Sequence, residues 1–235
     1  MLHAWFVPAI NVTTPAKAKG TVIFVHGNGG NITASWPFVN WLPGNGYNVF
    51  TFDYRGYGNS QGTPSPQGLF EDTQAAIAYI RQKADIDPDK LFVISQSLGG
   101  NNTIAAIGST SPSHTPLGYE NMKQGIRAIV IDSTFYFYTS IANAKIPGAG
   151  LLMNDDYSAA HHVAALAPIP LLFIHGTSDR IVPYEQGKRL FEIAPDPKQF
   201  ITIPGGQHIT ALSSFYKDTY RNEILVFFEN ALQSE

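Results

Sequence analysis

The chain has 235 residues, which is enough for one α/β domain with a sizeable buried core. Charged residues make up 14% of the chain and the net charge is −3, so neither nucleic acid nor an anionic membrane is expected as the main partner. The absence of cysteine excludes disulfides, thiolate catalysis and cysteine-ligated zinc.

The apolar segments are too short for a membrane span. None reaches the roughly 18 residues that a transmembrane helix needs. The first of them, LHAWFVPAI (2–10), lacks the basic region that precedes the apolar core of a signal peptide. We therefore expect a cytoplasmic protein, with a membrane-anchored or periplasmic location as the alternative if another segment precedes this sequence.

Seven segments have the composition of β-strands. The first, LHAWFVPAI, predicts an antiparallel edge strand. The other six are near-continuous apolar runs, which are typical of strands buried on both faces of a parallel sheet. They are GTVIFVHG (20–27), YNVFTFDYRG (47–56), KLFVIS (90–95), IRAIVID (126–132), PLLFIHG (170–176) and KQFITIPG (198–205).

Helix-length segments alternate with these runs. The four predicted helices are 65–84, with Pro66 near its start, 97–108, 183–194 and 213–232. This alternation over 20–235 predicts a doubly wound, mostly parallel sheet with helices on both faces and right-handed crossovers. We expect a single domain over 1–235, in which residues 133–167, too long for a plain crossover, form a small lid insertion over the site.

Two stretches compete for the role of a serine nucleophile. GNSQG (58–62) matches G-x-S-x-G letter for letter, whereas SQSLG (95–99) has Ser95 where the pattern has its first glycine. An elbow nucleophile lies on a tight turn between a buried strand and a helix, where the helix N-terminus favours a developing oxyanion. Ser60 is predicted to be a loop serine, because no strand ends directly before it and prolines follow it.

Ser97 has the required setting. KLFVIS predicts the strand before it and SLGGNNTIAAIG (97–108) the helix after it, with Gly99 and Gly100 keeping that side of the turn small. Ser95 adds only a small side chain and is a tolerable departure from glycine. The alternative is that Ser97 merely caps the helix, since serine is a favoured N-cap residue.

A serine nucleophile needs a histidine base and an acid that holds the imidazole. His208, in IPGGQH after the last strand, is the predicted base. Asp179, in IHGTSDRIVP, is the predicted acid, and Asp132, one strand earlier, is the alternative. The remaining histidines are expected to have structural or solvated roles: His3, His26, His114, His161, His162 and His175.

A tetrahedral oxyanion needs at least two fixed N–H donors. We expect one from the backbone of Leu98 at the start of the elbow helix. The loop HGNGGN (26–31) is expected to supply the other from Asn28, with Gly29 as the alternative. A nucleotide-binding turn is a weak reading of this loop, because it lacks the Lys and Ser/Thr of a Walker loop and the spacing of a dinucleotide fingerprint.

HGNGGN, DYRGYGNSQG, SQSLGG, HGTSDRIVP and GGQH, taken in this order over about residues 20–210, resemble the α/β-hydrolase superfamily. They are most similar to the branch of short-lid esterases, acyl-protein thioesterases, lysophospholipases and peptidase-like proteins with an HGN motif at a strand end. The resemblance implies Ser97 as nucleophile, Asp179 as acid and His208 as base. It also implies that the DxRGxGxSxG pattern, which contains Ser60, is a structural loop.

We therefore expect a serine hydrolase without metal or cofactor that cleaves carboxylic esters or thioesters of a small-molecule or lipid-like acyl substrate. The apolar side chains of the lid suit an acyl chain or an aromatic ester, although each could simply pack the lid onto the core. A peptidase of the same fold is the main alternative and a non-catalytic binding module another. An acyltransferase or a hydroxynitrile lyase could use the same three residues. Serine at position 97 excludes the aspartate nucleophile of dehalogenases and epoxide hydrolases.

Overall fold

A computed structural model describes residues 1–109 and 121–233 of the chain. Over these residues it contains seven strands in one sheet, and His114 lies outside the described part. The strands are β1 (Ala4–Val7), β2 (Gly20–Val25), β3 (Tyr47–Phe52), β4 (Leu91–Gln96), β5 (Ile126–Asp132), β6 (Leu171–Gly176) and β7 (Lys198–Ile203).

The strand order is β1-β3-β2-β4-β5-β6-β7. β1 pairs antiparallel with β3, and every other neighbouring pair is parallel. This order places the carboxyl ends of β4, β5, β6 and β7 side by side at one edge of the sheet. The prediction of a doubly wound, mostly parallel sheet with one antiparallel edge strand is confirmed.

The α-helices lie between the strands and at the end of the chain. They are α1 (Ile32–Ser35), α2 (Pro66–Arg81), α3 (Leu98–Gly108), α4 (Tyr138–Lys145), α5 (Ala159–His162), α6 (Tyr184–Ile193) and α7 (Thr219–Gln233). No helix of the described residues is both long and apolar enough to cross a membrane.

The start of the last helix differs from its prediction. Helical spacing predicts a helix from residue 213, but α7 begins at Thr219. Ser214–Tyr216 form a short 3-10 turn, and Lys217 and Asp218 then adopt φ values of 47° and 65°. A left-handed residue cannot continue a right-handed helix, so the turn and the helix are separate elements.

The sheet buries both of its faces. Along β2, Ile23 and Val25 pack with α2 and α3 on one face, whereas Val22 and Phe24 pack with α7 on the other. All six residues of β2 are buried, as are those of β3, β4 and β6. Because side chains alternate between faces with a period of two residues, a strand covered on both sides has no polar alternation. The apolar runs therefore reflect burial of the strands on both faces of the sheet, as predicted from the sequence.

Residues 133–167, here called the cap segment, connect β5 to β6. They contain α4, a 3-10 turn at Ala149–Leu152, α5 and a second 3-10 turn at Val163–Leu166. Phe135 and Tyr138 are buried against the core, so part of the aromatic content of the segment serves packing. Leu151 and Leu152, by contrast, are exposed to solvent.

Candidate active site

Ser97 occupies the turn between β4 and α3 with φ 54° and ψ −118°. A non-glycine residue at positive φ costs about 1–3 kcal/mol and persists only where its surroundings impose the conformation. Here the Ser97 N–H donates to the Asp132 carbonyl at 2.8 Å, and Thr134 Oγ1 donates to the Ser97 carbonyl at 3.0 Å. The Ser97 side chain makes no capping bond to α3, so the capping role left open by the sequence is not what this hydroxyl does.

Close packing explains the small residues around Ser97. A Cβ on Gly99 would lie 2.1 Å from the Val25 carbonyl oxygen, and one on Gly100 would lie 1.7 Å from Thr134 Oγ1. Ser95 stands where the pattern has glycine, and its hydroxyl donates to the Val130 carbonyl at 2.9 Å. The buried Ser95 hydroxyl is thereby satisfied, which is why serine is tolerated there.

Ser60 has a different environment. Its hydroxyl donates to the Asp53 carbonyl at 2.6 Å and accepts the His3 N–H at 2.9 Å. These two bonds tie the loop after β3 to the residue that precedes β1. The structure places GNSQG in a loop, away from any strand-to-helix turn, as the context of Ser60 predicts.

His208 and Asp179 are brought together by the loops that follow β7 and β6. His208 Nδ1 lies 2.8 Å from Asp179 Oδ2. An ionised carboxylate only accepts hydrogen bonds, so the proton is on Nδ1 and Nε2 is left as the basic nitrogen. The other carboxylate oxygen, Oδ1, accepts the N–H groups of Ile181 and Val182 at 2.8 and 2.9 Å.

The pKa of Asp179 lies well below its usual range. Burial alone would raise this pKa, but hydrogen bonds from His175 and His208 and the positive charge of a protonated His208 outweigh the cost of burial. Asp179 is therefore a permanent anion at neutral pH, as the partner of an imidazolium must be.

His175 is a partner of Asp179 that the sequence reasoning did not assign. It is buried at the end of β6, and its Nε2 lies 3.0 Å from the Val182 carbonyl oxygen and 3.3 Å from Asp179 Oδ2. A Cβ on Gly187 of α6 would lie 2.2 Å from His175 Nδ1, so α6 approaches the ring closely. The expected structural role is present as the contact with the Val182 carbonyl, but the contact with the acid was not predicted. The signal available was the spacing of four residues between His175 and Asp179.

Asp132, the alternative acid, has other partners. Its carboxylate accepts Gln96 Nε2 at 2.9 Å and Ser133 Oγ at 2.9 Å, and no hydrogen bond joins it to His208. Burial raises the pKa of Asp132, although both hydrogen bonds and the nearby histidines act in the opposite direction. Of the two candidate acids, the structure therefore brings Asp179 to His208. Asp132 instead contacts Gln96, Ser133 and the backbone of Ser97.

Asp132, Ser133 and Thr134, here called the bracket, connect the two halves of the site. Asp132 and Thr134 hold Ser97 as described above, and Ser133 Oγ accepts the N–H of Ile209 at 3.3 Å. Ser133 and Ile209 both have positive φ, 56° and 49°, which for a β-branched residue such as Ile209 is a clear outlier. Three strained residues are thus linked through consecutive residues of one loop.

No hydrogen bond joins Ser97 Oγ to His208, and the connection between the two runs through the backbone. The bracket brings the backbone of Ser97 and that of the residue after His208 to neighbouring positions.

The two expected oxyanion donors lie beside Ser97. Asn28 and Leu98 line the same cavity as Ser97, and within the described residues neither backbone N–H has a protein acceptor. The Asn28 side chain accepts a short hydrogen bond from the Tyr57 hydroxyl. Since Tyr57 belongs to the DYRGYGNSQG loop, this loop forms part of the wall of the cavity.

The cavity has a volume of about 430 Å³ and a mostly apolar wall. Lys145 is the one charged side chain among the described residues of its lining, and no carboxylate lines it. Besides Ser97, Leu98 and Asn28, the lining residues are Tyr57, Pro64, Ser65, Pro66, Leu69, Phe135, Tyr138, Ile141, Ala142, Lys145, Met153, Ile181 and Val182.

Comparison with known proteins places this arrangement in a family. The sequence profile of the serine aminopeptidase S33 family (Hydrolase_4) matches residues 16–117. The uncharacterized protein YfhR of Salmonella typhimurium is 48% identical over 238 residues, which span 100% of this chain and 79% of YfhR. The α/β-hydrolase domain-containing protein WAV2 of Arabidopsis thaliana is 31% identical over 226 residues, which span 88% of this chain and 68% of WAV2. The chain belongs to the α/β-hydrolase superfamily.

Solved structures agree with this assignment at the level of the fold. The apo form of esterase 2 from Thermogutta terrifontis superimposes with a TM-score of 0.75 at 21% sequence identity, covering 96% of this chain and 89% of the esterase. The resemblance to the α/β-hydrolase superfamily inferred from the motifs is confirmed.

Proposed function

We propose that this α/β hydrolase is a serine hydrolase that cleaves carboxylic esters or thioesters through an acyl-enzyme on Ser97. The observation that carries the proposal is the strained turn at Ser97, which opens into an apolar cavity and is tied through the bracket to the His208 loop. The Asp179–His208 hydrogen bond supplies the second element, an imidazole oriented with Nε2 free.

The proposed reaction assigns a role to each residue of the site. His208 Nε2 takes the Ser97 Oγ proton as the oxygen attacks the acyl carbonyl, and Asp179 stabilises the imidazolium that forms. The N–H groups of Leu98 and Asn28 stabilise the tetrahedral oxyanion. His208 then protonates the leaving alcohol or thiol, and a water molecule activated by the same nitrogen hydrolyses the acyl-enzyme.

The cavity supports an acyl substrate over an amine. Its apolar wall offers contacts to an aliphatic or aromatic acyl group, and burial of each methylene contributes about 0.8 kcal/mol. An aminopeptidase must bind the protonated α-amine of its substrate, for which a carboxylate is the natural partner. Since the described lining contains none, peptidase activity, to which the S33 profile points, is the second candidate.

The discriminating experiment compares ester and peptide substrates on one preparation. We expect turnover of p-nitrophenyl acetate, butyrate and octanoate, with a preference that reports the depth of the cavity, and little turnover of amino-acid p-nitroanilides. Faster cleavage of the anilides than of the esters would favour the peptidase. Acyl transfer is distinguished by adding an alcohol, since a transferase forms the new ester in place of the free acid.

A fluorophosphonate separates a catalytic from a binding role. Such a reagent labels a serine only when a base and an oxyanion site activate it. We expect labelling at Ser97 in the wild type and in Ser60→Ala, and none in Ser97→Ala. If the wild type were neither labelled nor active on any ester, the protein would be a binding module on a hydrolase fold.

A further inference from the structure

The cap segment carries an exposed apolar patch beside the cavity. Leu151 and Leu152 are 91% and 89% exposed, and Ile146, just after α4, is 66% exposed. Ile181, on the loop after β6, is 50% exposed and lines the cavity. These four residues are here called the apolar rim.

The apolar rim is continuous with the cavity. Met153 directly follows Leu152 and lines the cavity, and Lys145, which also lines it, directly precedes Ile146. The wall of the cavity and the exposed side chains are therefore neighbours along the same short pieces of chain. The apolar rim therefore adjoins the cavity that Ser97 also lines.

A defined turn holds the two leucines in solvent. The Gly150 N–H donates to Asn143 Oδ1 at 2.9 Å, and the Leu151 N–H donates to the Gly148 carbonyl at 3.1 Å. A Cβ on Gly150 would lie 2.4 Å from Asn143 Nδ2, so the turn packs tightly against α4. The leucines are thus presented outward by packed backbone.

Exposure of this kind lacks a folding benefit. Removing apolar surface from water is favourable by about 25 cal/mol per Å², so adjacent exposed leucines forgo stabilisation that burial would provide. The other exposed apolar side chains are distributed along the chain, for example Ile10, Tyr79 and Phe215. Single exposed apolar residues are ordinary on protein surfaces, whereas a contiguous patch beside a ligand cavity marks an interaction site.

Two basic side chains stand beside the apolar rim. Lys145 Nζ donates to the Arg180 carbonyl at 3.1 Å, so the residue before Ile181 lies next to the end of α4. Both basic residues are exposed, and among the described residues neither forms an ion pair with an acidic side chain. Their charges remain available to an anionic surface, although the net charge of the chain, −3, gives no hint of one.

We propose that the apolar rim docks on a lipid surface, where Leu151 and Leu152 insert among acyl chains and Lys145 and Arg180 face anionic headgroups. Leucines inserted beside basic residues are the features by which monotopic proteins bind a bilayer interface. A second protein seated on the rim would cover the mouth of the cavity, whereas a lipid surface supplies the cavity directly with acyl chains. This deepens the proposed function and rests on it for the substrate class: esters of lipids reached from the interface.

The test is binding to vesicles by the whole chain. We expect the wild type to float with vesicles of phosphatidylcholine mixed with phosphatidylglycerol. The double variant Leu151→Ser/Leu152→Ser should bind at least about tenfold more weakly. A tenfold change corresponds to about 1.4 kcal/mol, and burial of the two leucine side chains together contributes more than that. Phe215→Ser, which removes a 79% exposed apolar side chain elsewhere, is the matched control and should bind like the wild type.

Three results would overturn the proposal: absence of wild-type binding, equal binding by the double variant, or equal loss in Phe215→Ser. A dimer of the wild type that the double variant dissociates, without vesicle binding, would make the rim a contact between copies instead. Hydrolysis of soluble p-nitrophenyl butyrate keeps the two proposals apart. If the double variant loses vesicle binding but still hydrolyses p-nitrophenyl butyrate, docking through the apolar rim is supported. If the wild type binds vesicles but has no esterase activity, only the proposed function is rejected.

Discussion

Ser60 and Ser97 stand in similar strings of letters and in opposite environments. The Ser60 hydroxyl uses both its donor and its acceptor capacity on backbone, donating to Asp53 and accepting from His3. The Ser97 hydroxyl makes no bond to the helix it precedes and faces the cavity, while its backbone is held on both sides by the bracket. The two serines therefore differ in how their backbone is constrained and in whether their hydroxyl is bonded, which a pattern of glycines does not reveal.

The largest effect is expected when the proposed nucleophile is removed. Ser97→Ala should lower kcat/KM for p-nitrophenyl butyrate by about 10⁴-fold or more, because the covalent route is lost. Ser60→Ala should keep kcat within about threefold, since its hydroxyl contacts only backbone. Steady-state kinetics on both purified variants provide the measurement. Comparable activity in Ser97→Ala and the wild type would reject the assignment.

Asp179→Asn should produce the next largest loss, about 10³- to 10⁴-fold in kcat. The amide can donate towards His208 Nδ1 and so favour the tautomer whose Nε2 is no longer basic. Asp132→Asn serves as the comparison, because Asp132 is the rival acid and bonds Gln96 and Ser133 instead. A greater loss of kcat in Asp132→Asn than in Asp179→Asn, at equal thermal stability, would reverse the assignment of the acid.

The same variant has a pH signature in stability. The pKa of Asp179 is depressed in the folded state, so its stabilising contribution is present above the unfolded pKa of about 4 and is lost as pH falls through the folded value. The difference in unfolding free energy between wild type and Asp179→Asn should therefore shrink as the pH falls below about 4. Urea unfolding at a series of pH values from about 5 downwards measures it, and a difference that grows as the pH falls below about 4 would contradict the depressed pKa.

A smaller effect tests the bracket. Ser133→Ala removes the acceptor of the Ile209 N–H, so we expect kcat to fall by about tenfold through loss of alignment, with KM changed by less than about threefold. Ser133→Gly removes the same hydroxyl while relieving the positive φ of 56°. Equal losses of kcat in both variants would assign the effect to the hydroxyl, and wild-type kcat in Ser133→Gly would assign it to strain. Ser213→Ala, whose hydroxyl bonds the Thr210 carbonyl, is the control.

The smallest effect belongs to the loop serine and concerns stability alone. Ser60→Ala removes two hydrogen bonds to backbone, each with a net contribution of about 0.5–1.5 kcal/mol. We expect the free energy of unfolding to fall by about 1–2 kcal/mol, measured by urea denaturation, with labelling by the fluorophosphonate unchanged. Unchanged stability would mean that water replaces both bonds at no cost.

Local sequence patterns predict most of the strands and the longer helices. Buried parallel strands need apolar residues on both faces, and β2 and β4 show such runs in the letters GTVIFV and LFVISQ. The ends of helices were harder to predict from the sequence. Helical spacing predicts a helix from residue 213, but Lys217 and Asp218 have a left-handed backbone, so α7 begins only at Thr219. Backbone geometry of this kind depends on what the turn packs against, which the periodicity of a sequence does not encode.

By itself, the sequence determined the order of the seven strands and the four longest helices, the strand-to-helix setting of Ser97 and the loop character of Ser60, because these depend on residues within a few positions of one another. It did not reveal the short helices α1, α4 and α5. Only the tertiary structure decided that Asp179, rather than Asp132, meets His208, and that His175 shares this carboxylate. It also decided that Leu151 and Leu152 of the cap segment face solvent while Phe135 and Tyr138 are buried. The reason is physical: these outcomes depend on strand register and on distances between segments far apart in the chain, where a shift of one residue reverses the face to which a side chain points.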